Sequence, residues 1–331
     1  MPSLRDPVSR ALERTRIART GLVIGVWSGD DRVDLWHRGE LPAGPASSFE
    51  IGSITKVFTA TLLADMAQVG LVGLGDPVSL HLPPGVEMPS RGREITLTDL
   101  ASHRSGLPAV PRSLLLNALI TRGRDPYADW DTARLVKAIP YTRPRREPEK
   151  RFGYSNYAVG LLGHLLARRA CTSYDELVRE RICAPLGLSD TGTEIDDGRL
   201  ATGHRRNGRE TPHWHLAALD GAGGLRSTAT DLLGFLRLHA DRRDTPLAVA
   251  ARETQRPRTK FGRGHIGLGW MIFPPSRRLP FDMLVHEGGT GGFRSFAGLA
   301  PGERIGVVVL ANQARGVGTL GLRVLKAATA R

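Results

Sequence analysis

Apolar residues recur at helical spacing after Ser53: Ile54, Val57, Phe58, Leu62, Met66 and Val69 fall on one side of a 3.6-residue period. The pattern predicts an amphipathic helix opening at Ser53. It is entered from Gly52, whose missing Cβ suits a tight strand-to-helix turn. Before it, residues 21–27 read as a strand, 28–31 as a turn and 33–39 as the returning strand of a hairpin. A short helix is expected at 3–17. Downstream, 95–108 reads as a short helix with a Thr cap, stopped by Gly-Leu-Pro, and 109–151 as helical pieces broken by Pro and Arg. Helices are expected at 157–169, 173–183 and 229–241. From residue 265 or so the period becomes that of strands, at 266–273, 283–287, 292–300 and 304–311, before a closing helix at 318–330. Strands at both ends with helices between them predict an α+β fold: one antiparallel sheet built from both termini and flanked by helices, with a mainly helical inserted domain. The expected division is 1–75 plus 265–331 for the sheet domain and 76–264 for the helical domain.

Composition narrows the function without choosing it. A chain of 331 residues, 40% hydrophobic, can bury a large core. Its formal charge of +13 comes from arginine spread over several segments, with no aromatic interleaving and no nucleic-acid motif. The charge reads as solvated surface, and nucleic acid is not expected as a partner. Cys171 and Cys183 stand apart with no CxxC, read as two buried free thiols suited to a reducing compartment. The stretch Met1–Pro7 has no apolar signal core, and no apolar run approaches a membrane span. A soluble, cytoplasmic protein is expected.

Chemistry concentrates at Ser53 and Lys56. Three residues apart on a helix, they share a face, and the lysine leans back over the first turn. Helix N-termini supply unpaired N–H donors and partial positive charge for a developing oxyanion. A lysine held in an apolar setting loses its proton near neutral pH and can take one from the hydroxyl. Only five of the 46 basic residues are lysines, and only Lys56 has a serine three positions before it. The competing reading of the tetrapeptide is a serine N-cap followed by a solvated lysine.

Six ordered motifs decide between these readings: Phe-Glu-Ile-Gly-Ser-Ile-Thr-Lys (49–56), the segment 95–108 ending Ser-His-Arg-Ser-Gly-Leu-Pro, Gly-Tyr-Ser-Asn-Tyr (153–157), Ala-Pro-Leu-Gly-Leu-Ser-Asp-Thr (184–191), Ala-Gly-Gly-Leu-Arg-Ser-Thr (222–228) and His-Glu-Gly-Gly-Thr-Gly-Gly-Phe (286–293). Together they resemble the serine β-lactamase and penicillin-recognising enzyme superfamily, in the branch holding class C β-lactamases, D-alanyl-D-alanine carboxypeptidases, family VIII esterases and transacylases. The resemblance implies a β-lactamase/transpeptidase-like fold with its active site between the two domains. It implies Ser53 as nucleophile, Lys56 and Tyr154 sharing the base role, and Asn156 positioning Lys56 or a substrate amide. His286 takes the place of the usual Lys or His of the third motif. The N–H groups of Ser53 and Gly289 form the oxyanion hole, and Glu287, Gly288, Gly289 and Asn312 line the substrate site. No cofactor or metal is implied.

Glu287 departs from the pattern, standing where relatives carry the threonine of Lys-Thr-Gly or His-Thr-Gly. Placed at the cleft edge, the favoured placement, it would repel the carboxylate of penicillin-type substrates and turn the enzyme toward neutral esters. Placed at the rear, it would need a buried partner. His213-Trp214-His215 invites a metal reading, but no further ligand follows at metal spacing. His103, His164 and His239 read as packed or surface residues. The resulting expectation is a serine acyl hydrolase acting through an acyl-enzyme on a small ester or amide. A transacylase and a non-catalytic binding protein on the same scaffold are the rivals.

Overall fold

A computed structural model describes residues 20–29, 32–111, 114, 125–194, 198–277 and 279–330. The helix expected at 3–17 lies outside the described residues. Strand β1 (Leu22–Ser28) turns into β2 (Arg32–Arg38), and a short β3 (Phe49–Glu50) leads through a 3-10 turn (Gly52–Ile54) into helix α1 (Thr55–Gln68). Helices α2 (Leu97–Ala101), α3 (Thr132–Ala138), α4 (Asn156–Ala170) and α5 (Tyr174–Val178) follow. A π-turn (Arg179–Cys183) joins α5 to the single turn α6 (Ala184–Leu186). Strand β4 (Arg226–Ser227) pairs with β3, and α7 (Ala229–Ala240) and α8 (Pro246–Thr254) complete the helical part. The chain ends with strands β5 (Thr259–Phe261), β6 (Gly264–Ile266), β7 (Met271–Phe273), β8 (Met283–Gly289), β9 (Arg294–Ala300) and β10 (Ile305–Ala311), then helix α9 (Gly318–Thr329).

The expected α+β sheet is present. Eight strands run in the order β2-β1-β10-β9-β8-β7-β6-β5, and β1 from the start of the chain pairs antiparallel with β10 near its end. The single strand expected at 266–273 is two, because 267–270 form a turn in which Gly267 N–H donates to Trp270 O.

Strand alternation divides the core. Leu22, Ile24 and Val26 of β1, with Val307 and Val309 of β10, face α9 across Phe296, Val324 and Leu325. Val23, Trp27, Val308 and Leu310 face the other way, toward α7. Helix α1 is more enclosed than an amphipathic stripe implies, for every residue from Thr55 to Met66 is buried. Helices apolar on all sides belong in the interior. Its few polar side chains find partners there: Thr59 Oγ1 donates to Gly221 O at 2.8 Å, and Arg181 reaches Asp65 at 2.6 Å.

Candidate active site

Ser53 sits in the 3-10 turn ahead of α1 and caps nothing, since neither that turn nor α1 has a side-chain cap bond. Lys56 is fully buried and donates from Nζ to Ser53 Oγ at 2.9 Å and to Ala222 O at 2.6 Å. No carboxylate pairs with it among the described residues. Burial without a counter-charge pulls its pKa down to about 7. Lys56 is therefore a half-neutral amine at neutral pH, touching the hydroxyl it would deprotonate.

Tyr154 brings its hydroxyl to Ser53, and its ring centroid lies 5.0 Å from Lys56 Nζ. Burial pushes the phenol up to about 12, against the opposing effect of the Ser53 hydrogen bond. The phenol stays protonated over the range in which Lys56 titrates.

The segment carrying Tyr154 is held from behind by the chain after α2. A capping box, Thr96 with Asp99, opens that helix, and the fully buried Asp99 takes two bonds from Arg93 at 2.7 and 2.9 Å. Gly153 N–H donates to His103 O, Ser155 Oγ to Pro108 O, and Asn156 N–H to Ala109 O. Ser155 then caps α4 by accepting from Ala158 N–H at 2.9 Å. The motif 95–108 is thus the scaffold of the Tyr154 turn.

Strand β8 closes the opposite side. Gly52 has a left-handed φ of 51°, and a Cβ there would lie 2.5 Å from Gly289 N. A Cβ on Gly288 would strike Ile51 O, which Ser295 Oγ bonds at 2.7 Å. Backbone approach this close is open only to glycine. Thr290 N–H donates to Phe293 O at the hairpin tip, and antiparallel bonding alternates. Gly289, paired with Arg294, is therefore in a non-bonded pair, and its N–H turns away from β9. The backbone N–H groups of residues 53 and 289 thereby stand at adjoining turns.

His286 is buried, and its Nδ1 donates to Glu287 O at 2.9 Å, which leaves Nε2 as the unprotonated nitrogen. Burial first, then the Lys56 charge, pull its pKa down to about 3. It is a neutral ring at this site and offers no cation to a substrate carboxylate.

Two expected placements are corrected, those of Glu287 and Asn312, and Asn156 keeps only one of its two expected roles, that of meeting a substrate amide. Glu287 points to the rear: its carboxylate abuts Gly318 at the start of α9, and it is exposed, with no arginine partner among the described residues. Alternation sends His286 and Glu287 to opposite faces, and the cleft takes the histidine. Asn312 is buried with its amide committed inside the protein, accepting from Gly21 N–H at 2.6 Å and donating to Thr202 O at 2.8 Å. Asn156 does not bond Lys56; its Nδ2 lies 3.5 Å from the Tyr127 hydroxyl, and its buried Oδ1 has no partner. Of the two free cysteines, Cys183 is buried but Cys171 is exposed, at the left-handed C-cap of α4.

Other residues near the site carried little sequence signal. Glu50 is buried, and its Oε1 accepts from His213 Nδ1 at 2.8 Å and Trp214 N–H at 3.0 Å, pinning the 211–215 loop beside the Ser53 turn. Trp214 packs on Tyr127 with ring centroids 5.5 Å apart, and Tyr127 touches Asn156. An acid inside the first motif, and a Trp between two histidines, were the available hints. No group of three or more His, Cys, Asp or Glu converges among the described residues.

Residues 9–330 match the family described as Beta-lactamase, and the chain belongs to that family. The D-alanyl-D-alanine-carboxypeptidase/endopeptidase AmpH of Escherichia coli is 30% identical over 314 residues, covering 88% of this chain and 79% of the relative. A β-lactamase of Pseudomonas fluorescens is 26% identical, covering 80% and 79%. Among solved structures, a β-lactamase/D-alanine carboxypeptidase from Pseudomonas syringae superposes with a TM-score of 0.84 over 98% of this chain and 99% of that one, at 22% identity. A class C β-lactamase from Rhodobacter sphaeroides gives 0.79 at 26% identity, covering 98% and 97%.

Proposed function

We propose that the protein is a serine acyl hydrolase that turns over an ester or amide through a covalent acyl-enzyme on Ser53. The observation that carries this reading is the fully buried Lys56 amine, 2.9 Å from Ser53 Oγ and unpaired by any carboxylate among the described residues. Ser53 Oγ attacks the acyl carbon while Lys56 takes its proton. The charge that develops on the acyl oxygen is met by the N–H groups of Ser53 and Gly289. Collapse of the tetrahedral intermediate expels the leaving group, which takes a proton from the Tyr154 hydroxyl as Lys56 returns one to Tyr154. Water then repeats the sequence on the acyl-enzyme, with Lys56 again accepting the proton and Ser53 leaving.

β-Lactams and D-alanyl-D-alanine peptides are the substrates that the relatives' names carry, and both present an acyl carbon to this step. With Glu287 at the rear, charge repulsion from that residue no longer argues against an anionic substrate. The neutral His286 still supplies no cation, and we retain a neutral ester or amide as the preferred substrate. Transfer to an amine or alcohol would start from the same acyl-enzyme, and product analysis with added amine separates it from hydrolysis. Two unpaired thiols, Cys171 and Cys183, support a reducing, cytoplasmic location. Among the described residues no helix is long and apolar enough to cross a membrane.

The test is intact-mass detection of adducts with a fluorophosphonate, p-nitrophenyl esters and nitrocefin, on the wild type and Ser53→Ala. One adduct per chain, absent from Ser53→Ala together with ester turnover, is the expected result. A Ser53→Ala protein that labels at full stoichiometry would overturn the assignment.

A further inference from the structure

His103 lies outside the set of reacting groups, yet it touches all three residues of the Gly-Tyr-Ser turn. Its carbonyl accepts from Gly153 N–H at 2.9 Å, its ring lies against Tyr154 with centroids 4.4 Å apart, and its Nδ1 accepts from Ser155 N–H at 3.2 Å. The backbone there is left-handed, with φ at 57°, a region uncommon for residues with a side chain, although histidine enters it more readily than most. Its side chain is 2% exposed, and Nε2, which must carry the proton because Nδ1 accepts, is buried with no partner. The rings of Phe261, Phe152, His103 and Tyr154 follow one another at 4.7, 5.8 and 4.4 Å in tilted and edge-on contacts, and this row ends 5.0 Å from the Lys56 amine.

We propose that His103 is the positioning residue for Tyr154, clamping residues 153–155 so that the phenol is held at Ser53 and over Lys56. The inference rests on the reading of Ser53, Lys56 and Tyr154 as the acyl-transfer groups. A turn residue alone would need only the left-handed backbone, which glycine supplies better than histidine. The ring contact and the Ser155 bond go further, since they fix the direction in which the phenol points. The ring also excludes water from the neighbourhood of Lys56, which is otherwise faced by the neutral His286 and the protonated Tyr154. Burial, together with the nearby Lys56 and His286, holds the imidazole well below its ordinary pKa, so it packs as a neutral ring.

The test compares His103→Asn, His103→Gly and His103→Ala in the full chain, with His239→Asn as a control. His239 is as buried as His103, but it is bonded to Phe235 O and is in ring contact with Trp270. Asparagine tolerates the left-handed backbone and can still accept from Ser155 N–H, while glycine keeps only the backbone, so both remain informative where alanine fails to fold. We expect kcat for p-nitrophenyl acetate to fall about ten- to a hundredfold in the Asn and Gly variants with KM within about twofold, the pattern of a misplaced proton-transfer group. The acid limb of kcat/KM should move to higher pH as water reaches Lys56 and relieves its desolvation. The control should lose thermal stability with kcat and limb unchanged. Wild-type kcat and an unmoved limb in His103→Gly or His103→Asn would overturn the proposal. Fluorophosphonate labelling separates the two levels. A wild type unlabelled at Ser53 refutes the underlying reading, while a labelled wild type whose His103 variants label equally fast refutes only the clamp.

Discussion

At the scale of single residues, Lys56 combines a stability penalty with a function. The unfolded chain keeps its amine protonated up to about 10.5, the folded protein only to about 7. Between those values the unfolded state binds the extra proton, so stability rises with pH across that window and the penalty is complete below about 7. A displacement of this size corresponds to roughly 5 kcal/mol. Lys56→Met removes the ionisable group, while leaving Ala222 O and Ser53 Oγ without their donor, a loss of about 1–3 kcal/mol. The variant should be inactive, and its stability relative to wild type should be highest near pH 6 and shrink steadily toward pH 10. Urea unfolding of both proteins across that range measures it, and a difference independent of pH would show that Lys56 titrates normally. The sequence made Lys56 conspicuous because a lysine in an arginine-rich chain needs a reason. It could not orient Glu287, since alternation fixes that residue opposite to His286 without saying which of them meets the cleft. Nor could it show that the Asn312 amide is spent on Gly21 and Thr202, residues far away along the chain.

At the scale of elements, the period-2 and period-3.6 patterns located β1, β2, β8, β9, β10, α1, α4, α7 and α9 to within a few residues. Short elements escaped. Helix α8 is only nine residues long and buries small side chains, Ala248, Ala250, Ala251 and Thr254, β5 has three partly exposed residues, and the β3–β4 pair has two residues per strand. Their existence depends on partners distant in sequence. The junction between the Ser53 turn and β8 is where element geometry becomes chemistry. Gly52→Ala would place a Cβ 2.5 Å from Gly289 N in a backbone with φ at 51°. Ala at a left-handed position and the forced retreat of β8 together should cost about 1–3 kcal/mol. Separating the two oxyanion donors should lower the acylation rate about a hundredfold or more. Melting temperature and fluorophosphonate labelling rate measured on one preparation check both effects. An Ala variant that acylates at the wild-type rate would remove Gly289 from the proposed oxyanion hole.

At the scale of the molecule, the site exists only because distant segments meet. The 3-10 turn ahead of α1 supplies Ser53 and α1 itself Lys56, Ala222 and the Tyr154 turn come from the middle of the chain, and Gly289 and His286 come from near its end. The family motifs made this convergence legible as an ordered list, while the burial of Lys56, and the absence of a counter-charge to it among the described residues, emerge only when the list is folded. The central claim is that this assembly yields a neutral lysine as base for Ser53. The most direct measurement is the rate of covalent modification of Ser53 by a fluorophosphonate as a function of pH, with the labelled residue located by peptide mapping. Below about pH 7 the rate should fall tenfold per unit as Lys56 takes up its proton, and above about 7 it should level off. A rate flat from pH 5 to 9, or one still climbing toward pH 10, would contradict it.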